Sequence, residues 1–217
     1  MTTINLTAAD GHRFSAYLTG PENATHGVIV VQEVFGVNGH IRSVADRMAE
    51  AGYRVVAPAL YDRVERNLEL GYDADDLNAG LAIAGKLAWD DTLADLNATV
   101  ADLDRPCGVM GFCWGGTATW MAAAKVPVAA AVGYYGSGIL RLNDLEPKVP
   151  TMLHFGRQDQ STPLDQVEKV AAAHPDVTVH LYDAGHGFNC DQRSSYDAEA
   201  SALAWDRTLA FFADHIG

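Results

Sequence analysis

The sequence predicts an α/β fold in which a mostly parallel sheet of about eight strands carries helices on both faces. Short β-rich apolar segments alternate with longer segments of helical periodicity along the chain. The continuous apolar segment Gly27–Gln32 is typical of a central strand that is buried on both faces. No repeat, low-complexity segment or Gly/Pro/Ser-rich linker divides the 217 residues, so we expect a single domain over residues 1–217.

The first predicted element is an antiparallel hairpin at the edge of the sheet. Apolar and polar residues alternate in Ile4–Leu6 and in Phe14–Leu18, and the turn residues Asp10–Gly11 lie between them. The strand at Gly27–Gln32 follows, and His40–Ala51 is then a predicted helix that ends at Gly52, a residue favoured after helix C-termini.

The later elements continue the alternation. Asp90–Leu103 is predicted to be a helix, because its leucine and valine residues recur every three or four positions on one face. The other predicted strands are Tyr53–Ala57, Cys107–Met110, Val128–Tyr134, Thr151–Phe155 and Val177–Tyr182. The other predicted helices are Asp75–Leu87, a small-residue segment that runs to about Lys125, Pro163–Ala173 and Tyr196–His215. In such a sheet the ligand crevice lies at the carboxyl ends of the parallel strands.

The charge of the chain limits its expected partners. The sequence has 28 Asp and Glu residues against 15 Lys and Arg residues, a formal net charge of −13. This charge repels nucleic-acid phosphates and anionic membrane surfaces, so we expect neither as a partner. A small-molecule substrate is expected instead, bound by a monomer or a small homo-oligomer.

The cysteines and the first residues bear on location and cofactors. Cys107, Cys113 and Cys190 lack the usual metal-ligand spacing, and no H-x-x-x-H, H-E-x-x-H or phosphate-binding glycine motif occurs, so we expect no metal and no cofactor. No apolar segment approaches the roughly 18–20 residues that span a bilayer, and no secretory signal pattern is evident. These features predict a cytoplasmic protein with free thiols.

The segment Gly111-Phe112-Cys113-Trp114-Gly115 is the most informative motif. It lies between a predicted strand and a predicted helix, as a G-x-S-x-G nucleophile elbow does, with Cys113 in the serine position. The sharp turn requires small residues two positions before and after the nucleophile, which Gly111 and Gly115 provide. A lone cysteine is more often a buried small apolar residue, but the strand–turn–helix setting favours a nucleophile.

His186 and Asp159 are the predicted partners of Cys113. In this fold the acid and then the histidine follow the nucleophile along the chain. His186 lies in a glycine-flanked loop after the last predicted strand, and Asp159 follows the strand Thr151–Phe155. Asp159 could also be an ordinary turn former, and Asp165 and Asp183 are weaker alternatives for the acid.

Four motifs together resemble those of the dienelactone hydrolase (carboxymethylenebutenolidase) family, which has the α/β-hydrolase fold. They are the elbow Gly111–Gly116, Gln32-Glu33-Val34-Phe35-Gly36, Pro58-Ala59-Leu60-Tyr61-Asp62-Arg63 and Gly185-His186-Gly187-Phe188. The resemblance runs from about Phe14 to the last helix and implies a hydrolase of small enol-lactones or esters, with roles in aromatic-compound degradation.

The resemblance also implies roles for individual residues. Cys113, Asp159 and His186 would form a catalytic triad, and Glu33 would pair with the Cys113 thiol in the resting enzyme. The backbone N–H groups of Trp114 and Val34 would form the oxyanion hole. Arg63 would help to bind a substrate carboxylate.

One position departs from the family pattern. A second carboxylate-binding arginine is expected four residues after the histidine, where this chain has Cys190. Arg193 is the nearest arginine that could replace it. The departure leaves the substrate open between a carboxylate-bearing lactone and the neutral esters of a broader carboxylesterase or thioesterase. A catalytically silent ligand-binding fold is a further alternative, against which the complete triad argues.

Overall fold

The computed structural model describes residues 2–216, in which one eight-stranded sheet is combined with six α-helices. The strands are β1 (Thr2–Thr7), β2 (Arg13–Thr19), β3 (Gly27–Val31), β4 (Arg54–Pro58), β5 (Cys107–Phe112), β6 (Ala130–Tyr134), β7 (Thr151–Gly156) and β8 (Thr178–Tyr182). The helices are α1 (Gly39–Glu50), α2 (Ala74–Ala84), α3 (Trp89–Leu103), α4 (Trp114–Lys125), α5 (Leu164–Ala173) and α6 (Ala198–His215). Residues 1 and 217 of the expected domain lie outside the described residues.

The strand order is β1-β2-β4-β3-β5-β6-β7-β8. The hairpin of β1 and β2 joins β4 in antiparallel orientation, and all pairs from β4 to β8 are parallel. The predicted α/β-hydrolase architecture with a mostly parallel sheet is thereby confirmed. Because Val31 of β3 pairs with Gly111 of β5, the loops that leave these two strands begin side by side.

The sheet is covered on both faces, as its apolar strands require. Within β3, Val28 and Val30 face a core that includes residues of α1 and α6, whereas Ile29 and Val31 face a core that includes residues of α3 and α4. All five residues of β3 are buried. Alternate side chains of one strand therefore serve two cores, which explains why its sequence contains no polar position.

Several boundaries differ from the predictions. The helix predicted over Asp75–Leu87 ends at Ala84, with Gly85 as its C-cap. The strand predicted over Cys107–Met110 continues to Phe112, because Phe112 still pairs with Tyr134 of β6. Two short 3₁₀ helices, Leu60–Arg63 and Ser137–Arg141, were not predicted.

Helix α2 lies against the loop that follows β3. A Cβ atom on Gly80 would be 2.1 Å from the Val34 carbonyl oxygen, so only glycine permits this approach. Leu77 and Leu81 of the same helix remain exposed by 37% and 53%. Within residues 2–216, no helix has the combination of length and apolar character that a membrane span needs.

Candidate active site

Cys113 occupies a strained turn between β5 and α4. Its backbone has φ 56° and ψ −115°, a conformation that L-residues rarely adopt and that costs roughly 1–3 kcal/mol. The Cys113 N–H donates to the carbonyl of Tyr134 at 3.0 Å, which anchors the turn to β6. The side chain is partly exposed at the N-terminus of α4.

The two glycines of the elbow are required by close backbone contacts. A Cβ atom on Gly111 would lie 2.3 Å from the Gly115 carbonyl oxygen, and one on Gly115 would lie 2.3 Å from the Gln32 carbonyl oxygen. Both distances are far below any normal carbon–oxygen contact, and neither oxygen can rotate away. The sequence-based explanation for these glycines therefore agrees with the geometry.

The loops after β7 and β8 bring Asp159 to His186. Their backbones touch: a Cβ atom on Gly156 would lie 2.2 Å from the Ala184 carbonyl oxygen, which also accepts the Gln158 N–H at 3.0 Å. The His186 Nδ1–H donates to Asp159 Oδ2 at 2.7 Å. The Asp159 side chain is 1% exposed and that of His186 is 23% exposed, so the pair is largely shielded from water.

Ser161 contacts both Asp159 and His186, and the sequence did not predict this. Its hydroxyl donates to Asp159 Oδ1 at 2.6 Å, its backbone N–H donates to the same oxygen at 2.8 Å, and its Oγ lies 3.0 Å from His186 Nδ1. An Asp that bonds the N–H two residues later forms an Asx turn, so the Asp-x-Ser spacing was an available signal. Asp159 thus serves as turn former and as partner of His186 at once.

The pKa values of the pair follow from these contacts. Burial alone would raise the pKa of Asp159, but hydrogen bonds from His186 and Ser161 outweigh it and lower the pKa to about 2. Burial alone would lower the pKa of His186, but the hydrogen bond with Asp159 and the neighbouring Cys113 sulfur outweigh it and raise the pKa to about 10. The environment therefore stabilises an imidazolium at His186, next to the sulfur.

The residues expected to form the oxyanion hole lie on either side of Cys113. Val34 lines the same cavity as Cys113, in the loop that leaves β3. This loop is held by segment 68–70, where the Leu70 N–H donates to the Phe35 carbonyl at 3.0 Å. Trp114 is the first residue of α4, and its indole stacks on Trp89 with ring centroids 5.4 Å apart. The indole is thus held by packing, and the assignment of the two N–H groups remains a prediction.

Glu33 does not make the hydrogen bond that its expected role requires. Its side chain is fully buried, and neither carboxylate oxygen has a hydrogen-bond partner among the described residues, the Cys113 thiol included. Its Oε1 instead lies 3.6 Å from Arg193 Nη1. The expected resting pair of Glu33 and Cys113 is therefore wrong for this conformation, since neither Glu33 oxygen bonds the thiol and Oε1 lies next to Arg193 instead.

Arg63 also departs from its expected role. Its guanidinium donates through Nε and Nη2 to the two oxygens of Asp95 at 2.8 Å each, and through Nη1 to Asp10 at 2.8 Å. Arg63 is absent from the lining of the cavity around Cys113. The expectation that it binds a substrate carboxylate is corrected, because its hydrogen-bonding groups are already directed at the carboxylates of Asp95 and Asp10 and it does not line the cavity.

A cavity of about 480 Å³ surrounds the Cys113 and His186 side chains. It is lined by Val34, Phe35, Leu77, Leu81, Cys113, Ser137, Gln158, Asp159, Gln160, Ser161, His186 and Arg193. Arg193 is the only lysine or arginine among these lining residues. Its guanidinium carbon lies 5.6 Å from the centre of the Phe35 ring, and Gly187 gives it room beside His186. The cavity therefore combines an apolar wall with one positively charged side chain.

Comparison with known proteins decides the family. Residues 14–216 match the sequence profile of the dienelactone hydrolase family. The chain belongs to the dienelactone hydrolase family. As a member it is a hydrolase with ester-cleaving activity.

Individual members of the family are similar over nearly the whole chain. A carboxymethylenebutenolidase of Pseudomonas putida is 34% identical over 236 aligned positions, covering 97% of this chain and 95% of the relative. A candidate carboxymethylenebutenolidase of Synechocystis sp. is 36% identical, covering 85% and 84%. The crystal structure of a candidate dienelactone hydrolase from Klebsiella pneumoniae matches with a TM-score of 0.82 at 33% identity, covering 99% of this chain and all of that one.

Proposed function

We propose that the protein hydrolyses small enol-lactones or esters through a Cys113–His186–Asp159 triad and an acyl-thioester on Cys113. The observation that carries this proposal is the meeting of three loops in one cavity. The strained elbow presents the Cys113 thiol in the cavity that His186 also lines, and Asp159 accepts from the imidazole Nδ1–H at 2.7 Å. A nucleophile, a base and an orienting acid are thereby within reach of one another.

The geometry supports a two-step reaction. His186 takes the proton of the Cys113 thiol, and the thiolate attacks the substrate carbonyl to form a tetrahedral intermediate. The backbone N–H groups of Trp114 and Val34 are the proposed donors to its oxyanion. The intermediate expels the alcohol or enolate, which receives the proton from His186. A water molecule that gives its proton to His186 then cleaves the thioester, and the returning proton restores the thiol.

Arg193 is the proposed binding residue for a negatively charged substrate. It lines the cavity, its side chain is 21% exposed, and its only ion-pair contact among the described residues is Glu33 at 3.6 Å, a distance beyond a hydrogen bond. A guanidinium with free donors can bind a carboxylate through two parallel hydrogen bonds. We therefore propose a carboxylate-bearing lactone or ester as the substrate class, with Arg193 in the role that the resemblance gave to Arg63.

A broader carboxylesterase or thioesterase is the second candidate. Leu77, Leu81 and Phe35 form an apolar wall of the same cavity, and the Glu33 charge already offsets that of Arg193. Both features would favour a neutral acyl group. The two candidates share the triad and differ only in what Arg193 contributes.

Steady-state kinetics separates these possibilities. The substrates are a dienelactone and a neutral aryl ester of similar size, and the variants are Cys113→Ala, Arg193→Gln and, as a matched surface control, Arg157→Gln. We expect Cys113→Ala to be inactive on both substrates and Arg193→Gln to raise KM for the lactone alone. If Arg193→Gln leaves KM for both substrates unchanged and the neutral ester is hydrolysed more efficiently, the neutral-ester function is the correct one. If Cys113→Ala retains activity, the triad proposal is wrong.

A further inference from the structure

A second group of reactive side chains lies next to Arg193, outside the proposed triad. Glu33 follows β3, His40 is in the first turn of α1, and Cys190 belongs to the loop between β8 and α6. One ligand-type atom from each residue lies within 4.8 Å of the other two. Glu33 and Cys190 are fully buried, and His40 is 2% exposed. We name these three residues the 33–40–190 cluster.

The cluster contains buried polar atoms without protein partners. Both carboxylate oxygens of Glu33 and Nε2 of His40 have no hydrogen bond with any described residue. His154 provides the contrast, since it is equally buried and yet bonds Tyr182 through Nδ1 at 2.8 Å and Thr208 through Nε2 at 3.2 Å. Buried polar groups are normally paired, because an unpaired one costs about 1–3 kcal/mol. The unpaired atoms of the cluster therefore indicate a ligand that all three residues share.

The two ring nitrogens of His40 have different surroundings. Its Nδ1 lies 3.7 Å from the Asp191 carboxylate, whereas Nε2 has no partner. A carboxylate beside one ring nitrogen favours the proton on that nitrogen and leaves the other as a lone-pair donor. A metal-ligating histidine usually donates its other ring N–H to such a carboxylate, and a shift of the exposed Asp191 side chain by less than about 1 Å would make this bond.

We propose that the 33–40–190 cluster binds one Zn²⁺ ion through a carboxylate oxygen of Glu33, Nε2 of His40 and Sγ of Cys190. Zn²⁺ binds O, N and S donors at about 2.0–2.3 Å, which separates its ligand atoms by roughly 3–4 Å and requires only small side-chain shifts here. A mixed thiolate and imidazole set selects against Ca²⁺ and Mg²⁺, which prefer oxygen donors. Binding converts the Cys190 thiol to a thiolate and releases its proton to solvent.

The charges of the side chains around the cluster are compatible with a bound Zn²⁺ ion. The two positive charges of the ion are matched by the Glu33 carboxylate and the Cys190 thiolate. The competing cation is Arg193, which lies 3.6 Å from Glu33 without a hydrogen bond and is 21% exposed. Its guanidinium can turn into the adjoining cavity when the ion binds. The site thus uses a thiol and a carboxylate that take no part in the proposed reaction. Its three ligands are too far apart in the sequence to be recognised as a metal-binding motif.

The test uses the full chain with Cys113→Ala as parent, because the triad thiol could bind metals by itself. Zn²⁺ binding is measured by calorimetry, and Co²⁺ is added as a spectroscopic probe for sulfur-to-cobalt charge-transfer absorption. We expect one Zn²⁺ per chain and the thiolate–cobalt band in the parent. Cys190→Ser should abolish the band, while Cys107→Ser, which removes a buried thiol outside the cluster, should leave both signals unchanged.

Asp191→Asn provides a mild second variant, since the Asp191 side chain is 62% exposed. Loss of such an outer carboxylate should weaken Zn²⁺ binding about tenfold. This variant and the parent band decide the question if Cys190→Ser does not fold. The proposal is overturned if the parent binds no Zn²⁺, if the band survives Cys190→Ser or is lost in Cys107→Ser, or if Asp191→Asn leaves the affinity unchanged. Because the parent lacks Cys113, none of these results depends on the proposed hydrolytic function.

Discussion

Replacement of Arg63 by alanine should lower stability and leave substrate binding intact. The Asp95 carboxylate is fully buried, and both of its oxygens accept from the Arg63 guanidinium at 2.8 Å. The Arg63 side chain is itself only 11% exposed. Asp10 and Asp91, its other ion-pair partners, are 42% and 48% exposed and remain hydrated without it. The variant therefore leaves one carboxylate buried and unpaired.

The expected loss of stability follows from the one buried carboxylate that is left without a partner. Breaking a buried ion pair by removing one partner costs about 3–5 kcal/mol, because the remaining charge loses its compensation. For a chain of 217 residues, each kcal/mol shifts Tm by roughly 2–4 °C. We therefore expect Arg63→Ala to lower Tm by roughly 6–20 °C. Arg42 supplies the control, because it forms a bidentate ion pair with Glu69 at the surface. The two side chains are 34% and 51% exposed, so the pair should contribute less than about 1 kcal/mol to the free energy of unfolding.

The assay combines thermal unfolding with kinetics on the folded protein. Arg63→Ala, Arg42→Ala and the double variant Arg63→Met/Asp95→Leu are compared with wild type. The double variant should regain most of the lost stability, because no charge is left in the core. The KM for a carboxylate-bearing lactone should stay within about twofold of wild type in Arg63→Ala. A selective rise of that KM with an unchanged Tm would refute the reasoning and return Arg63 to the substrate site.

Three further predictions concern the triad and its supports. Gly115→Ala should lower both kcat and Tm, because its Cβ would lie 2.3 Å from a backbone carbonyl of the adjoining loop, whereas Gly39→Ala, which meets only a side chain at 3.5 Å, should be tolerated in the same assays. Ser161→Ala removes the 2.6 Å bond to Asp159 and should lower kcat/KM roughly tenfold, the value of one charge-assisted hydrogen bond; an unchanged kcat/KM would show that Ser161 is only a turn residue. Folding raises the pKa of His186 from 6.5 to about 10, so its stabilising contribution is complete below pH 6.5 and is lost as pH rises toward 10. The urea midpoint of wild type should therefore fall more than that of His186→Gln over this range, and parallel curves would contradict the raised pKa.

Local sequence patterns were sufficient to predict the strands, the helices and the glycines of the elbow. Short apolar strands, helical periodicity and the two glycines around Cys113 are properties of neighbouring residues, and the structure contains each of these features, with some element boundaries shifted by two or three residues. The order of nucleophile, acid and base along the chain then selected Asp159 and His186, which meet at 2.7 Å. The strand order was beyond the sequence reasoning, because it depends on which distant strands pair.

The directions of side chains were the main source of error. Arg63 follows a strand as a substrate-binding residue could, but the unpredicted 3₁₀ turn at Leu60–Arg63 directs it to Asp95, which lies on a helix 32 positions later. Glu33 was assigned to Cys113 by resemblance, although its carboxylate faces Arg193. Neither outcome is encoded in spacing, because both depend on which buried charge is the nearest partner after folding.

The identity of the nucleophile is tested most directly by acid quenching during turnover of an aryl ester, followed by intact-mass measurement and peptide mapping. Wild type should show a fraction of chains that gain the mass of the acyl group, located on the peptide that contains Cys113 and released by hydroxylamine. Cys113→Ala should show neither the adduct nor hydrolysis. An adduct on another residue, or undiminished hydrolysis by Cys113→Ala, would contradict the thioester mechanism.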